Sequence, residues 1–317
     1  MTGTICYATE SGLGILARQF IQNGLIDKIL VWPHSSYKTQ NWYGISNHQV
    51  KNVEELLTLC DRLIFFETPF DWQIIPQARE RGIKTILMAM YECTQYPLPY
   101  YPDVLIGGSA METAHYAQIK CALPCQHINV PVGMPWKLRH RAKVFVHNAG
   151  HLGLGGRNGT KELLLAMKYV KSPLKLIVRS QVPLKGLEGM NDPRVEIRIG
   201  DFAYNTLFEE GDVFILPEKF GGSFLPMQEA FASGMPVMAT DRFPTNSWLP
   251  KELLIKPMGY RKDRIGAWFD CAVLDPQKIA AKLDEWYDKS IESFSFAGRT
   301  WALENSWEKL TPLYEAL

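Results

Sequence analysis

The chain lacks a surplus of one charge. Its 34 Lys and Arg face 33 Asp and Glu, a net +1. Nothing in that balance demands a nucleic acid or an anionic membrane as partner, though a local basic patch is compatible with it. No apolar run approaches the ~20 residues that span a bilayer. The opening residues, MTGTICYATESG, hold no basic stretch followed by an apolar one, so they read as a first strand and not as a secretion leader. Cysteine is sparse. The six residues lie at 6, 60, 93, 121, 125 and 271, and only Cys121 and Cys125 are close together. A zinc site takes about four ligands, usually as two close pairs, and no second cysteine pair exists. The thiols therefore read as buried and free in a reducing cytoplasm. Also missing are Gly-x-x-x-x-Gly-Lys-Ser/Thr and Gly-x-Ser-x-Gly, which disfavours P-loop NTPases and α/β-hydrolases.

What is present is an ordinary globular composition, 46% hydrophobic and 21% charged, over 317 residues. At ~150 residues per domain this predicts about two domains. Short apolar runs alternate with helical spacing through the first half: strands near Thr4 to Ala8, Ile29 to Trp32, Arg62 to Phe66, Lys84 to Met90 and Asp103 to Ile106. Helices are expected from Ile15 to Ile21, from Val53, from Trp72 to Arg81 and from Glu112 to Lys120. The texture changes at Asn129 to Trp136, rich in Pro and Gly, and at the basic Lys137 to Lys143, which together read as a linker. Alternation then restarts with strands near Val144, Leu174, Val195, Val213 and Pro236. Helices are expected from Glu162 to Val170, Tyr204 to Glu210 and Met227 to Ser233. From Pro276 to Leu317 the chain reads as helical, with Trp286, Trp301 and Trp307 as anchors. Nearly continuous apolar strands suit parallel sheets covered on both faces. The expected class is α/β, two Rossmann-like domains facing a cleft at the carboxyl ends of their strands.

The stretch from Gly211 to Val237 carries the strongest chemical signal. A buried strand ends at Pro217 and delivers the Glu218 carboxylate to a sheet edge. Gly221 and Gly222 then let backbone N–H groups approach a ligand at the start of a helix, a position suited to phosphate. Glu229, farther along that helix, suits sugar hydroxyls. A second loop runs from His147 to Lys161, through Asn148, Gly150, His151, Gly153, Gly155, Gly156, Arg157 and Gly159. Its glycines permit wrapping around an anion, and Arg157 and Lys161 can neutralise a diphosphate. Arg179 and Ser180 end the next strand and line the same edge.

Together these residues resemble the glutamate-pair motif of retaining, nucleotide-sugar-dependent glycosyltransferases of the family 4 type, which have the two-domain GT-B fold. The family pattern is Glu-Gly-Phe-Gly-Leu-Pro-x-x-Glu-Ala-x-Ala-x-Gly-x-Pro-Val. Glu218 to Gly221 and Leu225 to Ala230 match its two ends, and Gly222, Ser223 and Phe224 are inserted between them. The resemblance implies Glu218 on the donor sugar and Glu229 on the ribose. It implies Arg157 and Lys161 on the departing diphosphate at shifted positions, since Asn158 stands where the family usually has Lys; His151 is a further candidate. Asp201 and Phe202, in Gly200 to Ala203, fall in the segment that holds the base. In the first half, Gly12 and Gly14 resemble the loop that approaches donor phosphate and acceptor, and Glu92 stands where the family often has His. The aromatics Trp32, His34, Tyr37, Trp42, Tyr43 and the run Tyr96 to Pro102 are candidates for an acceptor pocket.

The implied organisation is an acceptor-side domain over 1–135, a nucleotide-sugar domain over 136–300 and a C-terminal helix over 301–317 that packs back on the first domain. The implied activity is metal-independent transfer with retention, from a nucleoside-diphosphate sugar to a saccharide or other small-molecule acceptor, in the cytoplasm. No cofactor beyond that co-substrate and no integral membrane contact is expected. No Asp-x-Asp is present, so diphosphate charge falls to basic side chains and backbone N–H groups and no metal ligand set is expected. Two other readings share the fold. One is a phage-type transferase acting on hydroxymethylated DNA, using Lys137 to Lys143 and Tyr260 to Arg264 for phosphate contacts. The other is a nucleotide-sugar-binding protein or epimerase.

Overall fold

The apolar runs become the centres of two parallel sheets in this computed structural model, which describes residues 1–33, 47–152, 156–184, 192–265 and 268–317. One unit comprises Met1–Pro131, Arg264–Trp268 and Trp307–Leu317. Its strands are β1 (Thr2–Cys6), β2 (Lys28–Val31), β3 (Gln49–Val50), β4 (Arg62–Glu67), β5 (Lys84–Ala89), β6 (Val104–Gly107) and β7 (Cys125–His127). All neighbours pair in parallel, in the order β3-β2-β1-β4-β5-β6-β7. Helices α1 (Gly12–Gln22), α2 (Val53–Leu59), α3 (Ile74–Glu80) and α4 (Ala110–Gln118) connect them. Their starts follow capping chemistry: the Ser11 and Asn52 side chains accept backbone N–H groups of α1 and α2, and Ser109 with Glu112 forms a capping box on α4. Phe65, Leu87 and Leu105, on three adjacent strands, are wholly buried, each contributing about 1.5–3 kcal/mol by removal from water.

The second unit, Val132–Asp263 with Phe269–Ser306, repeats the plan. It holds β8 (Val144–Gly150), α5 (Thr160–Ala166), β9 (Lys175–Ser180), β10 (Val195–Ile199), β11 (Val213–Leu216), α6 (Leu225–Ala232), β12 (Val237–Thr240) and β13 (Leu254–Ile255). The sheet order is β10-β9-β8-β11-β12-β13, all parallel. Taken by rank along the chain, that is 3-2-1-4-5-6, the doubly wound Rossmann order. One face is covered by α5 and α7 (Pro276–Trp286), whose Leu163, Leu164, Ile279 and Leu283 are buried with Phe145 and Ile215; on the other, Met227, Ala230 and Phe231 of α6 pack with Val146, Phe214 and Val237.

Several expectations are corrected. The short strands β3 and β7 were not expected; they are two and three residues long at the sheet's margins, too brief for a period to show. Strands β14 (Gly259–Arg264) and β15 (Trp268–Val273), which form a separate two-stranded sheet, were also missed. The helix expected from Tyr204 to Glu210 is a single 3₁₀ turn, Tyr204–Thr206. The C-terminal helical stretch divides into α7, α8 (Glu292–Glu304) and α9 (Trp307–Glu315). The boundary between the two units falls at Pro131, inside the stretch that reads as a linker, and the basic residues after it are mostly exposed but paired. Arg139 is buried and donates to the carbonyls of Phe208 and Glu209, Arg141 and Lys143 pair with Asp288, and His140 meets Glu292. In β14, Arg261 and Lys262 pair with Asp263 and Asp270. None of the six cysteines, all of them described, is in a disulfide; Cys93 and Cys121 are half-buried and the others buried. No helix among the described residues is long and apolar enough to cross a membrane.

Helix α9 completes the first unit. Phe20 of α1 meets Trp307 at 5.4 Å and Tyr314 at 5.1 Å, both edge-on. The buried Tyr314 hydroxyl donates to the carbonyls of Asn129 and Ile128, while Arg62 donates to those of Tyr314 and Glu315. Tyr314→Ala is expected to destabilise this unit by about 3–5 kcal/mol, the cost of an emptied aromatic site. Tyr314→Phe removes only the hydroxyl and is expected to cost about 1 kcal/mol. Chemical denaturation of both variants checks the ordering.

Candidate active site

In an open parallel sheet, ligands bind beyond the carboxyl ends of the strands where the order reverses. In the second unit that point lies between β8 and β11, which pair directly. The glycine loop leaves β8 and the Glu218 turn leaves β11, so both motifs meet there. Their fit is tight. Gly159 has φ +67°, and a Cβ on it would lie 2.1 Å from the Pro217 carbonyl oxygen, so no other residue fits without displacing that turn. The Lys219 N–H donates to the Arg157 carbonyl at 2.8 Å, and the Lys219 ammonium reaches Glu162 at 2.9 Å. Asn158 donates to the Ala149 carbonyl at 3.1 Å. Beneath them, burial lowers the His147 pKa to about 4. A neutral ring donates from one nitrogen only. Nδ1 therefore donates to the Ile215 carbonyl, and Nε2 accepts from the Thr160 hydroxyl, each at 2.8 Å.

Glu218 is wholly buried. One carboxylate oxygen accepts from Thr245 Oγ1 at 2.7 Å and Arg242 at 3.3 Å; the other accepts the Thr240 N–H at 3.2 Å. Arg242, 3% exposed, also donates to the Gly221 carbonyl. Burial pushes the Glu218 carboxyl up, and Arg242, Thr245 and Thr240 pull it back. Both oxygens of Glu218 thus accept from groups within the fold, and this internal cation with its donors offsets the desolvation of the charge. Arg242 was missed from the sequence. Its signal was position alone, at the carboxyl end of β12 beside β11.

Glu229 differs. It lies on α6, is 6% exposed, and accepts from the Tyr204 hydroxyl at 2.6 Å. With no cation paired to it among the described residues, burial pushes its pKa up to about 7, while the Tyr204 hydrogen bond works the other way. The half-buried Arg157 lies over the Phe224 ring at 5.3 Å. Gly221 and Gly222 are buried, and Ser223 accepts from Gln228 at 3.3 Å ahead of α6.

Other expected donor residues are occupied within the fold. Arg179 is 5% exposed and is held by Glu210, the Leu207 carbonyl and Asn148, with Phe202 at 6.0 Å. Ser180 donates to the carbonyls of Gly150 and Val182. Asp201 is exposed and accepts from Gln181. Lys161 is exposed on the first turn of α5, and His151 is half-buried beside the loop; residues 153–155 of that loop lie outside the described residues.

In the first unit, Gly14 is fixed against Thr9, where a Cβ would lie 2.1 Å from the carbonyl oxygen, while Gly12 is exposed with open space around it. Glu92 follows β5 and is wholly buried; its charge, after burial itself, helps push Glu112 up to about 8. Trp32 stacks on Phe70 at 5.7 Å, and Tyr96 and Tyr100 pack on the sheet's core. His34, Tyr37, Trp42 and Tyr43 lie outside the described residues. Among those described, no three His, Cys, Asp or Glu side chains are grouped to hold a metal ion.

Two Rossmann-like units of this order match the GT-B architecture, and several solved structures similar in backbone have it. HepE of Anabaena, solved with UDP and glucose, aligns with a TM-score of 0.70 at 11% identity over 100% of both chains. The apo lipopolysaccharide outer core galactosyltransferase WaaB gives 0.65 at 12% over 100% of both. Sucrose-phosphate synthase of Thermosynechococcus elongatus gives 0.66 at 14%, covering 99% of this chain and 98% of its own. No protein-family model and no curated protein matches the chain.

Arg242→Ala leaves the Glu218 charge buried without its cation and is expected to destabilise the second unit by about 3–5 kcal/mol. Adding Glu218→Gln removes that charge and should recover part of the loss, which a double-mutant cycle in denaturant measures.

Proposed function

We propose that the chain is a metal-independent glycosyltransferase. It moves a sugar from a nucleoside diphosphate to a saccharide or other small-molecule acceptor, with retention at the anomeric carbon. The observation that carries this reading is the meeting of the Arg157 loop and the Gly221–Gly222 turn at the switch point of the second sheet, with Glu229 on the helix that follows. The fold it sits on is one in which HepE, among the neighbours, was solved with UDP-glucose. Glu229 takes the ribose, the backbone of Gly222 and Ser223 faces the donor sugar, and Arg157 faces the diphosphate. The acceptor belongs to the first unit.

In the reaction, the bond from the anomeric carbon to the diphosphate oxygen breaks while the bond to the acceptor oxygen forms on the same face. The acceptor proton passes to the departing phosphate. The protein's part is orientation and stabilisation of charge on the leaving diphosphate. Glu218 acts indirectly, through Arg242, by fixing the turn from which Gly222 and Ser223 reach the donor.

Thermal-shift measurements with UDP-, GDP- and ADP-sugars are expected to raise the Tm with one of them, and no shift with any would overturn the reading. With that donor, Arg157→Ala is expected to lower kcat by about 10²–10³-fold, the range for loss of one preorganised charge-stabilising group. Wild-type turnover in that variant refutes the assignment of Arg157.

A further inference from the structure

The 3₁₀ turn at Tyr204 sits on an unusually firm base. Its first carbonyl, on Ala203, accepts from both the N–H and the hydroxyl of Thr206, at 3.0 and 2.8 Å. The three carbonyls after it are held by buried arginines. Arg179 donates to Leu207 at 2.9 Å, and Arg139 donates to Phe208 at 2.6 Å and Glu209 at 3.1 Å. Two guanidinium groups, 5% and 4% exposed, thus anchor the turn that carries Tyr204. A phenol on so fixed a backbone reaches one oxygen of Glu229 at 2.6 Å. The second oxygen of Glu229 has no side-chain or backbone partner among the described residues, although the residue keeps 6% exposure. Among the described residues, burial raises its pKa and the Tyr204 hydrogen bond lowers it, and no charged group of α6, the Tyr204 turn or the neighbouring strands adds to these.

We propose that Tyr204 is a positioning residue for ribose recognition. Its hydroxyl fixes one Glu229 oxygen and directs the other to accept a ribose hydroxyl. The inference rests on the donor reading given above. It has a consequence in pH. The Glu229 carboxyl titrates near 7, and ribose hydroxyls donate best to its ionised form. Affinity for a ribonucleotide therefore rises with pH across neutrality. Losing the phenol removes a bond that favours the carboxylate, so the midpoint moves to higher pH.

Calorimetry with UDP and 2′,3′-dideoxy-UDP tests it, using the guanosine or adenosine pair if thermal shift selects that base. Wild-type protein is expected to prefer the ribonucleotide by about tenfold at pH 8, as a charge-assisted hydrogen bond implies, and less at pH 6. Tyr204→Phe is expected to lose most of that preference at pH 8 while binding the dideoxy form as the wild type does; Glu229→Gln should lose the preference at both pH values. A Tyr204→Phe variant that keeps the wild-type preference overturns the proposal. So does one that weakens both nucleotides equally, which marks a merely structural role. Wild-type protein that binds UDP, GDP and ADP without preferring ribose refutes the Glu229 assignment and this inference, but not the transferase reading. Wild-type protein that binds none of them removes both.

Discussion

A fully buried carboxylate at the end of β11 organises the second unit's site. Taking such a group out of water costs several kcal/mol unless an opposite charge and hydrogen-bond donors replace the lost hydration. Glu218 obtains its donors from three places: the Thr240 N–H at the end of β12, the Arg242 guanidinium, and the Thr245 hydroxyl in the turn beyond. Each brings a piece of backbone with it. Arg242 adds the Gly221 carbonyl, so the Gly221–Gly222 turn is fixed by the same guanidinium that neutralises the acid. On the opposite side, the Lys219 N–H holds the Arg157 carbonyl, and Gly159 lies against Pro217. The Gly221–Gly222 turn is thus set by the solvation of Glu218, and the glycine loop is held by backbone contacts to the residues on either side of Glu218. That ties the stability of the site to its preorganisation.

The fold was legible in the sequence because the central strands of both sheets are largely buried. Leu63 to Phe66, Val213 to Leu216 and Val237 to Thr240 show no exposed position, and a parallel sheet covered on both faces has no other way to appear in sequence. Strands β3 and β7 were not legible, since two or three residues at an edge carry no period. In the site, motif spacing located the two loops but not the direction of each side chain. Glu218 and Glu229 look alike in sequence. Their difference comes from residues distant along the chain, Arg242 and Thr245 for one and Tyr204 for the other, which only the pairing of β11 with β12 and the turn after β10 bring close. The burial of Arg139 in the basic run after Val132 was not legible for a related reason. Composition reports charge, and whether a charge faces solvent or a helix-end carbonyl depends on tertiary neighbours, as at Arg139.

The net charge of +1 therefore says little about the site, because most of its cations are engaged internally. Arg139 holds backbone carbonyls, Arg179 joins Glu210 with the Leu207 carbonyl, and Arg242 is matched to Glu218. Removing any of these cations from its partners would leave a buried charge or carbonyl unsatisfied, so they are poor candidates to move onto a ligand. Among the described residues, Glu229 is held only by a neutral phenol, and burial brings its pKa to about 7. A hydroxyl from a ligand can add to it without stranding an opposite charge. Of the two acids in the motif, the one without a cation is thus the one the fold leaves able to bind. The ion-paired acid builds the turn around it.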